Sequence, residues 1–499
     1  MAEKFYITTS IAYVNAAPHV GFALESVQAD ALARFHSSYV KNSYFLTGTD
    51  EHGAKIARAA EAAGKTPQEL VDANSEKFRE LKDSLNLSWD NFIRTSDKKV
   101  HWPVAQEIWK RLEKSGDLYR KTYSGLYCVG HEAFVTQKDL VDGKCIDHKK
   151  EPETISEDNW FFKLSKYGQD IESRIKNNEL RILPETRRNE ILSLLKEGLE
   201  DVSFSRPSKD LSWGVPVPGD DTQTMYVWAD ALSNYISGYA SSDPKGLGGI
   251  ENWEKHPADV HLVGKDILRF HAAIWPAMLL SAGLPLPRSI FVHGHILVNG
   301  EKMSKSVGNV VDPFELVKKY SSTSSPQAGI DPVRYYLLRE IPSGNDGDFS
   351  YEKFEERYNG DLANGLGNFA ARVSTLGSGL EEISLENVDK VITEKIEHTK
   401  ARYAEKVLDF RLHEALAIIF ELIQYGDRYV NDKKPWDKNI DVKEKELILG
   451  NLTAILQASG EFLSPFLPQT SEKILKALDV QGDKVKVSRI DPLFPRLTK

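Results

Sequence analysis

Short apolar runs alternate with amphipathic stretches over the first part of this chain. Runs at residues 5–9 (FYITT) and 44–47 (YFLT) predict two strands, and the spacing of apolar residues over 22–41 predicts a helix between them. Strands that alternate with helices in this way are typical of a parallel α/β sheet.

The alternation returns near residue 226, where runs at 260–263 and 290–293 predict two further strands with a helix over 266–282 between them. Between about 118 and 225, short strand-like pieces, polar loops and a Pro/Gly-rich segment interrupt the pattern. We therefore expect an insertion that splits the α/β domain.

Helical spacing of apolar residues continues from about 355 to 478 with few breakers, which predicts a helix bundle. Upstream, Asn299-Gly300 predicts a tight hairpin turn, because both residue types tolerate positive φ. The predicted fold class is thus a split α/β domain followed by an α-helical bundle.

Composition narrows the function classes. A chain of 499 residues with 41% hydrophobic content forms several domains, and its apolar runs are too short to span a membrane. Two cysteines exclude a disulfide framework and, without a signal-peptide pattern, favour the cytoplasm. The net charge of −9 argues against a general nucleic-acid coat but allows an RNA partner along a local basic path.

Two segments nearly 300 residues apart have the chemistry of phosphate binding. The first is His19-Val20-Gly21-Phe22, at the predicted start of a helix, where free N–H groups and a positive dipole attract anions. The second is Lys302-Met303-Ser304-Lys305-Ser306, just after the predicted turn, whose lysines can stabilise charge on an α-phosphate under attack. Together they predict adenylate formation from a carboxylate and ATP; the alternative for the second segment is a basic surface loop.

These two segments resemble the signatures of the methionyl-tRNA synthetases, a class I aminoacyl-tRNA synthetase family, and the resemblance extends from Tyr6 to Trp436. It implies L-methionine, ATP with Mg²⁺ and tRNA(Met) as ligands. Phe22 departs from the family's His-x-Gly-His, and losing one hydrogen-bond donor costs about 1–3 kcal/mol. The implied catalytic residues are His19, Lys302 and Lys305, and Gly21, Gly294 and Ser304 join them in binding ATP.

Trp228, Ala231, Leu232 and Tyr235 follow a spacing that places them on one face of a predicted helix. An ordinary core stripe would show the same spacing. The resemblance instead implies a methionine pocket, in which aromatic rings suit a polarizable thioether. It adds two further segments to the pocket, comprising Ile11, Tyr13 and Asp50, and Asp266, Ile267, Phe270 and His271. By itself, His271 fits an ordinary helix histidine equally well.

Both cysteines lie in the predicted insertion, and each has a histidine three residues later, as Cys128-x-x-His131 and Cys145-x-x-His148. This Cys2His2 set has the spacing of a structural zinc knuckle, with no position left for a catalytic water. The family often carries a zinc knuckle here, so the resemblance implies a variant ligand set. The alternative is two buried thiols beside surface histidines.

Asn368 and Arg372, one helical turn apart, resemble the pair with which the family reads the anticodon, and Trp436 resembles its base-stacking tryptophan. A helix cap, a surface arginine and a core tryptophan remain the alternatives. The chain ends at Lys499 without the appended tRNA-binding domain of some family members, so we expect a monomer.

The resemblance gives the chain a predicted function and each predicted domain a role. Rival functions are a sister synthetase for leucine, isoleucine, valine or cysteine, a non-catalytic tRNA-binding paralogue suggested only by Phe22, and a metal-dependent hydrolase. The predicted domains are the first half of a Rossmann-like catalytic domain (1–117), the connective insertion with the knuckle (118–225), the second catalytic half (226–300), the KMSKS loop and stem-contact region (301–354), and the helical anticodon-binding domain (355–499).

Overall fold

The structure is a computed structural model. Its contacts divide the chain into two compact units: the sheet unit, formed by Met1–Pro18, Val40–Glu80 and Trp89–Val292, and the helical unit, formed by His19–Tyr39, Leu81–Ser88 and His293–Lys499. The residues described are 4–40, 42–130, 133–135, 139–147, 149–239, 247–303, 308–321 and 328–497.

A seven-stranded sheet organises the sheet unit, and the strand pairs whose register is defined are parallel. Its central strands are buried on both faces, which explains their continuous apolar runs. The predicted strands are confirmed. In order across the sheet the strands are Arg181–Leu183, Ser289–His293, Val260–Gly264, Lys4–Thr9, and Asn42–Asp50, with Ala12–Tyr13 and Asn91–Arg94 both paired to Asn42–Asp50.

Helices cover this sheet, and two of the predicted helices differ from the expectation. The helix predicted over 266–282 is three consecutive pieces: a 3₁₀ turn Lys265–Ile267, a π-helix Phe270–Ile274 and an α-helix Trp275–Ser281. The single helix expected to carry Trp228 to Tyr235 is wrong, because it breaks into Val227–Ala231 and Asn234–Ser237. The other helices are Ala54–Ala62, Pro67–Ser84, His101–Lys114, Leu164–Tyr167 (3₁₀), Gly168–Lys176, Glu185–Glu197 and Gly248–Lys255.

The region from 118 to 225 contains strands, as its sequence predicts, and apart from Arg181–Leu183 they pair in antiparallel fashion. It is not wholly separate from the α/β sheet, because Arg181–Leu183 pairs in parallel with Ser289–His293. One antiparallel sheet has four strands, in the order Val202–Ser203, Glu153–Phe162, Leu118–Cys128 and Ala133–Val135. A second has three strands, in the order Ser205–Pro207, Asp220–Met225 and Pro216–Val217. Leu140–Val141 and Lys144–Cys145 form a two-stranded ladder.

The helical unit confirms the predicted bundle, and the helix predicted over 22–41 spans Val20–Ser37. A C-terminal hairpin that the apolar spacing did not predict follows the last helix. The remaining helices are Pro313–Lys319, Ile330–Arg339, Tyr351–Arg357, Tyr358–Gly367 (π), Asn368–Gly377, Lys390–Leu408, Leu412–Lys433, Val442–Leu463 and Pro468–Lys476. One small sheet is formed by Ile296–Val298, Glu301–Lys302 and Gly347–Phe349. A second is formed by Ile383–Ser384, Leu478–Gln481 and Lys484–Val487.

A buried arginine joins distant segments of the helical unit. The Arg334 guanidinium lies 2.7 Å from the Asp30 carboxylate and donates to the carbonyl oxygens of Leu85, Pro465 and Phe466. A buried charge is tolerated when its donors are satisfied in this way. Helix Val20–Ser37 is thereby fixed to the bundle. Among the helices described, none is both long and apolar enough to cross a membrane.

Candidate functional site

Two aromatic rings and a histidine form the centre of the predicted methionine pocket. Trp228 stacks on Phe270 with ring centroids 3.9 Å apart and an interplanar angle of 11°. The ring of His271 lies edge-on to Trp228, and its Nε2 is 2.6 Å from the Tyr235 hydroxyl. Four residues from two predicted segments are therefore in contact within the sheet unit.

The hydrogen bonds of His271 assign its proton. Nδ1 faces the carbonyl oxygen of Ile267 at 2.9 Å, so it carries the hydrogen, and Nε2 accepts from the Tyr235 hydroxyl. Burial lowers the pKa of His271 to about 4, although the Ile267 carbonyl and the charge of Asp266 act in the opposite direction. The ring is neutral at physiological pH and presents no charge to an apolar ligand.

The remaining predicted pocket residues lie at differing depths. Ile11, Tyr13 and Ile267 are half-buried and pack against the same core as Trp228 and Phe270. Tyr13 is opposite the buried Asp50 in the parallel pairing, Ala231 and Leu232 are fully buried, and Asp266 is exposed. The apolar residues of the predicted set therefore share one core, and Asp266 does not belong to it.

Sequence reasoning missed two buried acids beside these residues. Glu51 accepts two hydrogen bonds from Arg94, at 2.7 and 2.9 Å, and others from Ser96 and Thr49. Asp230 accepts from His52 and His101, each at 2.6 Å. Burial opposes the charge of Asp230, but the two histidines outweigh it and lower its pKa to about 2. Glu51 directly follows Asp50, and Asp230 lies two positions after Trp228. This closeness in sequence to predicted pocket residues was the signal that could have identified both acids.

The start of helix Val20–Ser37 differs from the expected open anion site. The Gly21 N–H donates to His19 Nδ1 at 3.1 Å, the Val20 N–H donates to the Val311 carbonyl oxygen, and the Phe22 N–H donates to the His19 carbonyl oxygen. The expectation of free N–H groups is wrong for these residues. Because Nδ1 accepts, Nε2 is the donating nitrogen of a neutral His19.

The lysine segment begins where the sequence placed it. Asn299 and Gly300 have positive φ and join strands Ile296–Val298 and Glu301–Lys302, which confirms the predicted turn. Lys302 is exposed at the end of this hairpin, and the Met303 Cε is 3.5 Å from where a Cβ on Gly21 would lie. The first part of the lysine segment thus lies next to the start of helix Val20–Ser37 within the helical unit. Ser304 and Lys305 lie outside the described residues.

Gly294 has a packing role in the structure. A Cβ at this position would lie 2.1 Å from the carbonyl carbon of Asn345, so only glycine allows the approach. Next to it, His293 Nε2 is 2.8 Å from the carboxylate of Glu25 in helix Val20–Ser37. The base of the lysine hairpin is thereby attached to the helix that begins with His19.

The three predicted anticodon residues come together in the helical unit. Arg372 donates to Asp427 at 3.0 Å and to Asn431 at 2.8 Å, and its guanidinium lies 5.4 Å from the Trp436 ring centroid. Asn368 is exposed on the same helix, and Trp436 is 50% exposed, which excludes a core tryptophan. Asp427 and Asn431 were missed, although they lie four residues apart on the helix before Trp436.

Cys128 and Cys145 are both buried and belong to one small apolar cluster with Val135. His131 and His148 lie outside the described residues. In the part of the chain that is described, no group of three or more His, Cys, Asp or Glu side chains is placed to hold a metal. The two cysteines of the predicted ligand set therefore belong to the same cluster, and zinc binding stays a prediction.

Known proteins with the same sequence pattern and fold identify the family. Residues 5–151 and 134–374 match the model of "tRNA synthetases class I (M)", and residues 389–492 match the "Anticodon-binding domain of tRNA ligase". The chain is 42% identical to methionine–tRNA ligase of Brucella suis biovar 1 (strain 1330), covering 99% of this chain and 98% of that protein. It is 41% identical to the corresponding protein of Clostridium acetobutylicum, covering 99% and 78%.

Solved structures agree. The structure of Mycobacterium tuberculosis methionyl-tRNA synthetase in complex with methionyl-adenylate aligns with a TM-score of 0.89 at 37% identity, covering 99% of this chain and all of that one. The apo form of that synthetase aligns with a TM-score of 0.83 at 34% identity, covering 100% and 99%. This chain belongs to the methionine–tRNA ligase family of class I tRNA synthetases.

Proposed function

We propose that this chain activates L-methionine with ATP and transfers the methionyl group to the 3′ end of tRNA(Met) for protein synthesis. The methionine carboxylate attacks the α-phosphate, pyrophosphate leaves, and a hydroxyl of the terminal ribose then attacks the adenylate carbonyl and releases AMP. The observation that carries the proposal is the stacked pair Trp228–Phe270 beside neutral His271. A flat, uncharged aromatic wall suits a thioether.

The aromatic wall also favours methionine over the sister substrates. Leucine, isoleucine and valine lack a sulfur for the ring edges, and the cysteine side chain is shorter than that of methionine and reaches fewer of these rings. Apolar fit contributes about 1–3 kcal/mol of discrimination per methylene. The hydrogen bond between the Tyr235 hydroxyl and His271 Nε2 holds both rings in place, which keeps the shape of the wall fixed. Asp50, buried opposite Tyr13, provides the negative charge for the methionine ammonium group.

Activation of ATP rests on positive groups of the helical unit. His19 donates from Nε2 to a phosphate oxygen, and Lys302 with Lys305 stabilises charge that builds on the α-phosphate. Gly21, Gly294 and Ser304 are assigned to ATP binding by the family resemblance, with Ser304 contributing a hydroxyl. Mg²⁺ would arrive bound to the ATP phosphates, because it keeps mostly phosphate and water ligands.

Binding of tRNA(Met) uses the exposed cluster around Arg372. Asn368 and Arg372 offer hydrogen bonds to base edges, and the exposed face of Trp436 offers a stacking surface. Because Asp427 and Asn431 already hold the guanidinium, little ordering is required when RNA binds.

Three further features belong to the proposal. Cys128 and Cys145, with His131 and His148, would hold a structural Zn²⁺ that cross-links the insertion. Metal analysis of the purified protein tests this, with a Cys145→Ser variant expected to lose the zinc. We also propose a monomer acting in the cytoplasm, which size-exclusion chromatography with light scattering and cell fractionation would check.

The decisive experiment is amino-acid-dependent ATP–pyrophosphate exchange, with leucine, isoleucine, valine and cysteine as comparisons. Exchange that requires methionine is expected. No exchange in a folded protein that still binds tRNA would favour the non-catalytic alternative.

The same assay measures the effect of Phe22. Restoring the family's second histidine with Phe22→His adds a donor at the first helical turn and should raise the exchange rate by about tenfold. An unchanged rate would mean that another group already supplies this hydrogen bond.

A further inference from the structure

Asp230 is a buried acid with a histidine on each oxygen. His52 Nδ1 and His101 Nε2 each lie 2.6 Å from one carboxylate oxygen, and His101 Nδ1 lies 2.8 Å from the Ser237 hydroxyl. All four side chains are buried in the sheet unit. A buried ionic group is weak evidence for stability, since apolar residues of the same volume often stabilise as well. Its more specific effect is to fix the relative positions of the segments that it joins.

The segments joined here are two walls of the proposed pocket. Asp230 lies in helix Val227–Ala231, between Trp228 and Ala231. Trp228 and Ala231 belong to the wall of the proposed pocket that faces the methionine side chain. His52 lies two residues after Asp50, the proposed partner of the methionine ammonium group. A hydrogen bond between His52 and Asp230 therefore determines how far the ammonium end lies from the aromatic wall.

The segment that carries His52 is itself held in place. The Glu51 N–H donates to Thr95 Oγ1 at 2.8 Å, Trp213 Nε1 donates to the Glu51 carbonyl oxygen at 2.5 Å, and the Gly53 N–H donates to the Trp213 carbonyl oxygen at 3.3 Å. The rings of Trp102 and Trp213 meet the His52 ring edge-on. With the backbone fixed and the ring confined, His52 has one direction in which to donate.

Only one nitrogen of His52 makes a hydrogen bond. In the described part of the chain, Nε2 is buried and has no hydrogen-bond partner. The two nitrogens can therefore be separated by substitution, because an asparagine amide nitrogen can take the place of Nδ1 and leaves nothing at Nε2.

We propose that His52 is a positioning residue for methionine, which acts by donating a hydrogen bond to Asp230 and so sets the spacing between Asp50 and Trp228. The inference rests on the proposed function, since Asp50 and Trp228 are assigned to the pocket there. His52 need not touch the substrate for this role.

The test compares His52→Ala with His52→Asn in methionine-dependent ATP–pyrophosphate exchange. His52→Ala should raise the KM for methionine by about tenfold or more, the cost of losing a hydrogen bond to a charged group, and leave the KM for ATP within about twofold. His52→Asn should restore most of the methionine affinity. Thermal melting of both variants shows whether each is folded.

Two controls separate this inference from the proposed function. His256→Asn alters another histidine–aspartate contact of the sheet unit, with Asp259 at 2.9 Å, and should change neither KM. Trp228→Ala should raise the KM for methionine, and if it does not, the pocket assignment fails.

If Trp228→Ala raises the KM for methionine but His52→Ala does not, the positioning role is overturned and the pocket stands. If folded His52→Asn is as defective as His52→Ala, the hydrogen bond to Asp230 is not the cause, and the role is likewise overturned.

Discussion

The aromatic pocket of the sheet unit and the charged groups of the helical unit use opposite physical means. Except for the exposed Asp266, the side chains of the proposed pocket are buried or half-buried, and some hold one another, as Tyr235 and His271 do. Lys302, Asn368 and Trp436 are exposed, Asn368 donates to Asp427, and Trp436 lies beside the Arg372 guanidinium. Burial with a fixed shape suits recognition of a small neutral side chain, and exposure with charge suits phosphates and RNA that bind and leave in every cycle.

This comparison is tested most strongly at the exposed lysine of the hairpin. Lys302→Gln should slow ATP–pyrophosphate exchange by about 100-fold, because one donor to developing charge is lost. Thermal stability should stay unchanged, since the side chain is exposed. Lys318→Gln, which changes another exposed lysine of the same unit, serves as control. An equal loss of exchange rate in both variants would indicate that the net charge of the protein, and not the position of Lys302, causes the effect.

The anticodon cluster should separate RNA binding from chemistry. Arg372→Gln is expected to reduce tRNA charging by about 10- to 100-fold, because a guanidinium contact to a base is lost. Methionine-dependent exchange, which needs no tRNA, should not change. Arg402→Gln removes a surface pair with Glu421, which lies on the same helix as Asp427, and should leave charging intact. A loss of exchange in Arg372→Gln would contradict the separation.

Within the proposed pocket, loss of the Tyr235 hydroxyl should raise the KM for methionine more than the KM for ATP. Tyr235→Phe removes the donor to His271 Nε2 and leaves a buried acceptor unpaired, which costs about 1–3 kcal/mol. We expect the KM for methionine to rise about tenfold. Tyr44→Phe removes a comparable hydrogen bond, from Tyr44 to the Gly238 carbonyl oxygen at 2.7 Å, and should affect stability alone.

A further prediction concerns the dependence of folding stability on pH. The pKa of His271 falls to about 4 in the folded chain from an ordinary value near 6.5, so the unfolded chain binds more protons between these values. The neutral ring makes its full contribution to the unfolding free energy above pH 6.5, and this contribution is lost as the pH falls toward 4.

Between pH 7 and pH 5 this loss amounts to about 2 kcal/mol of unfolding free energy. Urea denaturation of the wild type and of His271→Asn at both pH values measures it, and the variant should lose less on acidification. The same dependence in both proteins would assign the effect to other groups.

The sequence predicted the parts of the fold that depend on periodicity. Strands such as Lys4–Thr9 and the turn at Asn299-Gly300 follow from local patterns, and the structure confirms them. Helix continuity from Trp228 to Tyr235 did not follow, because the chain turns at Leu232 and Ser233 between two short helices. Apolar spacing records which residues are buried and does not record where a helix breaks.

Partners across the chain were the other part that could not be predicted. Asp230 and His101 are 129 residues apart, and Arg372 and Asp427 are 55 apart, so no local spacing links them. The structure brings Trp228, Phe270, His271 and Tyr235 together, as the family resemblance implied. The polar side chains that hold such residues in place are found only when the chain is folded.

The self-capped start of helix Val20–Ser37 has a consequence for competition among the anions of the cell. Its first N–H groups are already engaged by His19 and Val311, so a free phosphate or sulfate ion finds no open cradle there. A nucleotide brings a base, a ribose and further phosphates, whose contacts add to the attraction of the helix dipole. We therefore expect free phosphate to compete only weakly with a nucleotide at this helix start.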